Sequence, residues 1–309
     1  MNAPRSIDEY LKQLRAALEG QDPALIQDAL YDAEEYLRAE VAAHPQKSEA
    51  DVLELIASTY GAPDEVATAY RDTEKKVKAA LATPPPRLAA SPSALKRFFG
   101  VYLDPRSYSA LFYMLLTLAT GVVYFTLVVT GLSLSLGFAI LVIGIPFFLA
   151  FIGICRVVAL GEGRLLEGIT GERMPRRPVH PGPTGSWWKR IGEMLKDVRT
   201  WTTLAYLLLM LPLGIIYFTI AVTGLAVSAA FIGTPVLVLL QWLGLTHLDL
   251  SSEASVAGFG LNSGEHPLFS CLLLFVAGVV ILTTLMHLAR GLVRAHTALA
   301  KSLLVVPGA

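Results

Sequence analysis

Residues 107–155 read SYSALFYMLLTLATGVVYFTLVVTGLSLSLGFAILVIGIPFFLAFIGIC, with no Asp, Glu, Lys or Arg among them. Two further stretches, 200–248 and 266–289, are equally free of these four residues. A hydrocarbon core about 30 Å thick takes roughly 20 apolar residues to cross as a helix, so each stretch can span at least once. Lipid offers no hydrogen-bond partners to exposed backbone, and the stretches lack a barrel's alternation, so helix is the form expected. In the first stretch, 107–131 and 134–160 are separated by almost nothing and read as a tight helical hairpin. The whole chain has 309 residues, 54 % hydrophobic and only 16 % charged, against roughly 25 % charged in soluble domains. That composition excludes a disordered chain and a strongly basic nucleic-acid binder. Two cysteines make no disulfide scaffold, and without a paired Cys/His cluster neither a zinc site nor any other cofactor is expected.

The net charge of zero averages unequal parts. Residues 1–82 hold 16 acidic and 9 basic side chains, and the remainder holds 9 acidic and 16 basic. Basic residues crowd certain span ends. Lys96, Arg97 and Arg106 precede the first stretch; Arg156, Arg164, Arg173, Arg176, Arg177, Lys189, Arg190, Lys196 and Arg199 lie between the first and second; Arg290, Arg294 and Lys301 follow the third. The stretch 244–265 carries Asp249, Glu253 and Glu265 and no Lys or Arg. By the positive-inside rule both termini are expected to be cytoplasmic and 244–267 an outer loop. No signal peptide is expected, because the N-terminus has no short apolar stretch with a cleavage site. Residues 226–243 are also long enough to cross, but Gly233 and Pro235 interrupt them. We read them as a kinked, re-entrant or interfacial segment, which leaves four spans.

The two apolar halves resemble each other. Lys96-Arg97 corresponds to Lys189-Arg190, and Asp104-x-Arg106-Ser107-Tyr108 to Asp197-x-Arg199-Thr200-Trp201. Gly121-x-x-Tyr124-Phe125-Thr126 matches Gly214-x-x-Tyr217-Phe218-Thr219; Gly144-x-Pro146 meets Gly233-x-Pro235, and Gly161-x-x-Arg164 meets Gly291-x-x-Arg294. The expected architecture is therefore all-α: a small cytoplasmic helical domain and a polytopic bundle of two parallel hairpin repeats. The domains are expected at 1–82, 95–183 and 184–309, with a proline-rich linker at 83–94. Asp104 and Asp197 precede helices, where a carboxylate caps free N–H groups. Arg106 and Arg199 lie at headgroup depth, able to hold lipid phosphate or the nearby Asp, and could act with those Asp residues as partner-switching pairs. Tyr108 and Trp201 suit the aromatic belt, and Gly121 and Gly214 permit close helix approach. Trp187, Trp188, Ile191, Leu195 and Val198 share one face of an interfacial amphipathic helix.

Residues 6–81 read as four short helices. Ser6-Ile7-Asp8-Glu9 is a capping box, Asp22-Pro23 opens a second helix, Ser48 caps a third, and Pro63-Asp64-Glu65 starts a fourth after Gly61. Asp28, Asp32, Glu34 and Glu35 form an acidic patch at the spacing of a solvated face. Asp28, Asp32, Glu35, Gly61, Asp64 and Glu65 are the candidate partner surface.

Tyr10-Leu11-x-x-Leu14-x-x-x-Leu18, Ala33-Glu34-Glu35-Tyr36 and Tyr60-Gly61-Ala62-Pro63-Asp64-Glu65-Val66-Ala67-x-x-Tyr70 resemble the bacterial HAAS signalling domain. The resemblance implies a helical cytoplasmic module attached to membrane segments and often encoded beside PadR-type transcriptional regulators. The part after the linker is similar to the sensor domain at the front of certain bacterial histidine kinases. That likeness is carried by Asp197-x-Arg199-Thr200-Trp201, Gly214-x-x-Tyr217-Phe218, Thr223-Gly224, Gly233-x-Pro235 and Gly161-x-x-Arg164-Leu165-Leu166. No phospho-acceptor helix or nucleotide-binding motif follows the spans, so any signal is expected to pass to another protein.

No nucleophile, base and orienting group are fixed together by spacing. The apolar stretches hold no mid-membrane charge of the kind coupled transporters use. A non-enzymatic signalling protein of the bacterial inner membrane is therefore expected. Its partners would be membrane lipids and a cytoplasmic regulator or membrane protein, with homo-oligomers allowed and no direct contact with nucleic acid. The alternative is an accessory subunit of a membrane transport complex, motivated by the Gly-x-Pro segments at 144–146 and 233–235. The opposite charges of module and bundle further suggest that the acidic domain docks on the basic rim until a signal releases it.

Overall fold

The computed structural model describes residues 4–81, 93–138, 144–175, 192, 196–245, 255–256, 259–260 and 267–305. Most of the proline-rich linker, of 244–267 and of the segment expected to be interfacial, including Trp187, Trp188, Ile191 and Leu195, lies outside these residues.

The N-terminal module consists of α1 (Ile7–Ala17), α2 (Pro23–Ala43), α3 (Glu49–Ala57) and α4 (Pro63–Leu81). Each of the first three starts at a side-chain cap within two or three residues of the first turn. The Glu9 N–H donates to Ser6 Oγ, the Ala24 N–H to Asp22 Oδ1, and Ser48 and Asp51 form a reciprocal capping box. The chain reverses before α4 at Gly61, whose φ of +104° lies in the left-handed region that costs glycine little. The Tyr10 hydroxyl donates to the Gly61 carbonyl at 2.9 Å, which ties that turn to α1. Tyr10, Leu14, Leu18, Ala33, Leu37, Val52 and Ile56 lead a single apolar core, and Tyr36 and Tyr60 stack at 4.4 Å. Helix α2 is buried on more than this face. Ala24, Leu25 and Asp28 are also buried, so one member of the acidic strip expected to be solvated, Asp28, is covered, while Glu35 stays exposed.

Four longer helices follow a short helix α5 (Ala94–Phe99) and a 3₁₀ turn (Gly100–Leu103): α6 (Pro105–Gly137), α7 (Gly144–Thr170), α8 (Val198–Trp242) and α9 (Pro267–Leu304). All four are long and apolar enough to cross a membrane, with mean hydropathies of 1.6 to 2.5. Phe112, Val123, Phe269 and Leu272 are well exposed on them, as expected where lipid rather than protein covers a helix. The segment 226–243 does not form a separate broken piece. It is the last part of α8, which runs for 45 residues through Gly233 and Pro235. A proline inside a helix removes one backbone bond, a loss that apolar helices tolerate when neighbouring elements support them. Here Gly278 of α9 packs directly on Phe231 and Ile232. Apart from helices, the regular structure among the described residues is one two-residue antiparallel ladder, Ser255–Val256 with Phe259–Gly260.

Contacts group the chain into two compact units that do not follow chain order: 1–88, 126–208 and 297–309, and 89–125 with 209–296. In the second unit, α6 and α8 meet backbone to backbone at two glycines. A Cβ on Gly121 would lie 2.6 Å from the Met210 carbonyl oxygen, and one on Gly214 would lie 2.5 Å from that of Thr117. Gly121 and Gly214 stand 93 positions apart, as do Thr117 and Met210. The contact is reciprocal.

Candidate functional site

Two aspartates, each just before a long helix, organise charged residues from other helices. Asp104 Oδ1 accepts the Arg106 N–H at 3.0 Å, and Asp197 Oδ1 accepts the Arg199 N–H at 3.0 Å. Both therefore cap the helix that follows, α6 and α8 respectively, where the helix dipole favours negative charge. The second carboxylate oxygen of each has a different task. Asp104 Oδ2 takes Arg290 of α9 at 2.7 Å within the second unit. Asp197 Oδ2 takes Arg156 of α7 at 3.2 Å within the first. Of the two partners expected for Arg106 and Arg199, lipid phosphate or the nearby Asp, the aspartates are held here through backbone N–H groups and not through the guanidinium groups. A guanidinium arriving from another helix approaches the outward oxygen directly, whereas a residue two positions on offers its backbone N–H first.

In the second unit the Asp104–Arg290 pair extends into a network. Arg290 Nη2 donates to His287 Nδ1 at 3.1 Å, leaving His287 Nε2 to donate to the Phe98 carbonyl at 3.0 Å. Tyr102, on the turn before α6, shares a 2.9 Å hydrogen bond with Thr283. Tyr108 donates to the Tyr102 carbonyl and is half exposed, as is Trp201. His296 is buried within reach of Tyr217, at 3.4 Å. Arg294 is exposed on α9 and Arg164 on α7. Gly144 and Pro146 form the start of α7, and Pro235 is buried within α8.

The first unit contains the cluster that sequence reasoning did not assemble. Arg173, three residues after α7, reaches the N-terminal module. Its Nη2 lies 2.8 Å from Asp28 of α2, and its Nη1 contacts Glu74 of α4. All three side chains are buried, at 9 %, 5 % and 5 % exposed. Lys301 at the end of α9 adds a 2.7 Å pair with Asp22, the cap of α2. Sequence singled out Asp28 as part of a partner surface and counted Arg173 only as one of many rim charges; nothing in local spacing joins residues 145 positions apart. Asp32 instead accepts the Tyr70 hydroxyl at 2.8 Å. Burial and that carboxylate push the Tyr70 phenol pKa well above its ordinary value. Of the remaining surface candidates, Glu65 accepts the Ala62 N–H at 3.1 Å as an internal cap, while Glu35 and Asp64 are exposed.

Beside this clasp lies a partly open cavity of about 60 Å³ lined by α2, α7, the start of α8 and the end of α9. Its polar wall holds Arg156, Asp197 and Arg199, and its apolar wall includes Leu160, Met174 and Leu304. Among the described residues no group of three or more His, Cys, Asp or Glu could hold a metal ion.

A family model described as "Putative sensor" matches residues 113–304. No curated protein and no solved structure matches the chain.

Proposed function

Because this chain belongs to the Sensor family, we propose that it is a multi-pass sensor of the bacterial inner membrane with cytoplasmic termini, which passes a membrane or envelope signal to a cytoplasmic regulator through its N-terminal module. The observation that carries this reading is the Arg173 clasp on Asp28 and Glu74. A guanidinium that follows a membrane helix directly, and is buried against two carboxylates of an otherwise separate helical module, makes the module's release a discrete, breakable step. The matched family segment stops short of the module, so the module's regulatory role rests on its HAAS-like sequence and on the clasp. The near-matching partners of Gly121 and Gly214 support the duplicated-hairpin reading. The accessory-subunit alternative drew on interrupted helices; the continuity of α8 through Gly233 and Pro235 removes half of that motive.

The test compares the intact chain, an Arg173→Ala variant and a chain lacking residues 1–82, by partner capture and by transcriptional response in the native host. Capture that is enhanced and independent of envelope stress in Arg173→Ala, and lost in the truncation, is expected. If the truncation left every partner and response unchanged, signalling through the module would be refuted. A transport protein copurifying stoichiometrically with all three would favour the accessory role.

A further inference from the structure

We infer that the cavity bounded by Arg156, Arg199 and Leu160 binds the headgroup of an anionic phospholipid. The two arginines sit where the charge-free stretches end: Arg156 directly after 107–155 and Arg199 directly before 200–248. The cavity therefore opens at the boundary between apolar and charged sequence, where a headgroup resides.

The wall is divided as such a ligand requires. Ala159, Leu160, Met174 and Leu304 supply an apolar side, and Arg156 and Arg199 a cationic one. The cationic groups are unequally committed. Arg156 Nη2 is held by Asp197 at 3.2 Å and Thr200 at 3.1 Å. Arg199, half buried, makes no side-chain hydrogen bond to any described residue, although its charge feels Asp197. Arg15 of α1 adds further positive potential at Arg199. Among the lining residues one carboxylate, Asp197, faces two guanidinium groups, so the site favours an anion. A guanidinium matches phosphate oxygens in two-point geometry, and anionic lipids supply that phosphate at the membrane surface with hydrocarbon attached. A free phosphate would satisfy the arginines and leave the apolar wall unused.

The same cavity touches the clasp. Gln27 and Met174 line it, and each is the chain neighbour of a clasp residue, Asp28 and Arg173. An occupant would thus press on both sides of the contact that holds the module. This link to signalling rests on the function proposed above; the lipid site itself does not.

Native mass spectrometry of the full chain, released from nanodiscs of phosphatidylcholine with graded phosphatidylglycerol, reads the site directly. One phosphatidylglycerol retained per chain is expected, with retention about tenfold weaker in Arg199→Gln and in Leu160→Trp, which fills the apolar side. Lys96→Gln removes an exposed cation that does not line the cavity and is expected to change nothing. Unaltered melting curves identify which variants remain folded, and either cavity variant suffices. Equal weakening by Lys96→Gln would reduce the effect to general surface charge and overturn the assignment. Displacement of the lipid by inorganic phosphate at equal concentration would make this a free-anion site and overturn the lipid part. Retention unchanged in a folded cavity variant would overturn the whole. Loss of binding with module release unaffected would leave the lipid site standing and sink only its coupling to the clasp.

Discussion

Replacing Gly121 or Gly214 by alanine probes the α6–α8 contact. Each new Cβ would stand 2.6 or 2.5 Å from a backbone carbonyl oxygen of the facing helix, against the 3.4 Å at which ordinary contact begins. Neither obstacle is a side chain that can swing away, so the helices themselves must part by about 0.8–0.9 Å. Overpacking of this kind costs about 1–3 kcal/mol per site. Because the two clashes are reciprocal across one contact, the separation that relieves the first also relieves most of the second. The double variant is therefore expected to lose little more than either single one, a coupling of about 1 kcal/mol or more where independent sites would add. Unfolding in mixed detergent micelles, followed by far-ultraviolet circular dichroism for wild type, both single variants and the double, completes the cycle. Additive losses, or a Gly121→Ala chain as stable as wild type, would refute a shared backbone contact.

Other outcomes follow from the ion pairs and the buried phenols. Arg173→Ala strands two buried carboxylates, Asp28 and Glu74, and is expected to cost about 3–5 kcal/mol, with faster hydrogen exchange in α1–α4; adding Asp28→Asn and Glu74→Gln should recover part of it. Asp104→Asn retains the oxygen that caps α6 and loses only the charge facing Arg290. With both side chains partly exposed (22 % and 35 %), that pair is screened and the change should cost less than about 1 kcal/mol. Asp104→Ala should cost about 1 kcal/mol more for the lost cap, and thermal unfolding separates the two. Tyr10, Tyr60 and Tyr70 have pKa values raised above the ordinary one, chiefly by burial. The fold thus favours their neutral forms, and that stability is complete below about pH 10 and drains away as pH rises towards the folded values. Tyrosinate absorbance should lag in the native chain, and Tyr70→Phe should flatten the alkaline loss of module structure; an unchanged alkaline limb would contradict the burial argument.

Sequence carried the local rules and missed the distant ones. Ser6, Asp22-Pro23, Ser48 and the two Asp-x-Arg caps were readable because a cap needs only the two or three residues after it. The apolar runs gave all four long helices, since length and lack of charge suffice to define them. Pro235 misled because helix propensity counts a lost backbone bond without counting the support of a packed neighbour such as Gly278. Arg173–Asp28, Arg156–Asp197 and Arg290–Asp104 were not legible, since each joins elements 41 to 186 positions apart and any of the rim arginines satisfies the charge rule equally well. Asp28 looked like surface for the same reason: helical spacing identifies a face, not what comes to cover it.

The second buried face of α2 sets a toll on recognition. In the function proposed above, a regulator that read Asp28 could do so only in molecules whose clasp is open, because Arg173 otherwise holds that carboxylate. Apparent affinity falls in proportion to that open fraction. An opening free energy of about 3 kcal/mol would correspond to about a 150-fold penalty. A ligand that shifted the clasp by the same amount would return the full factor without touching the regulator.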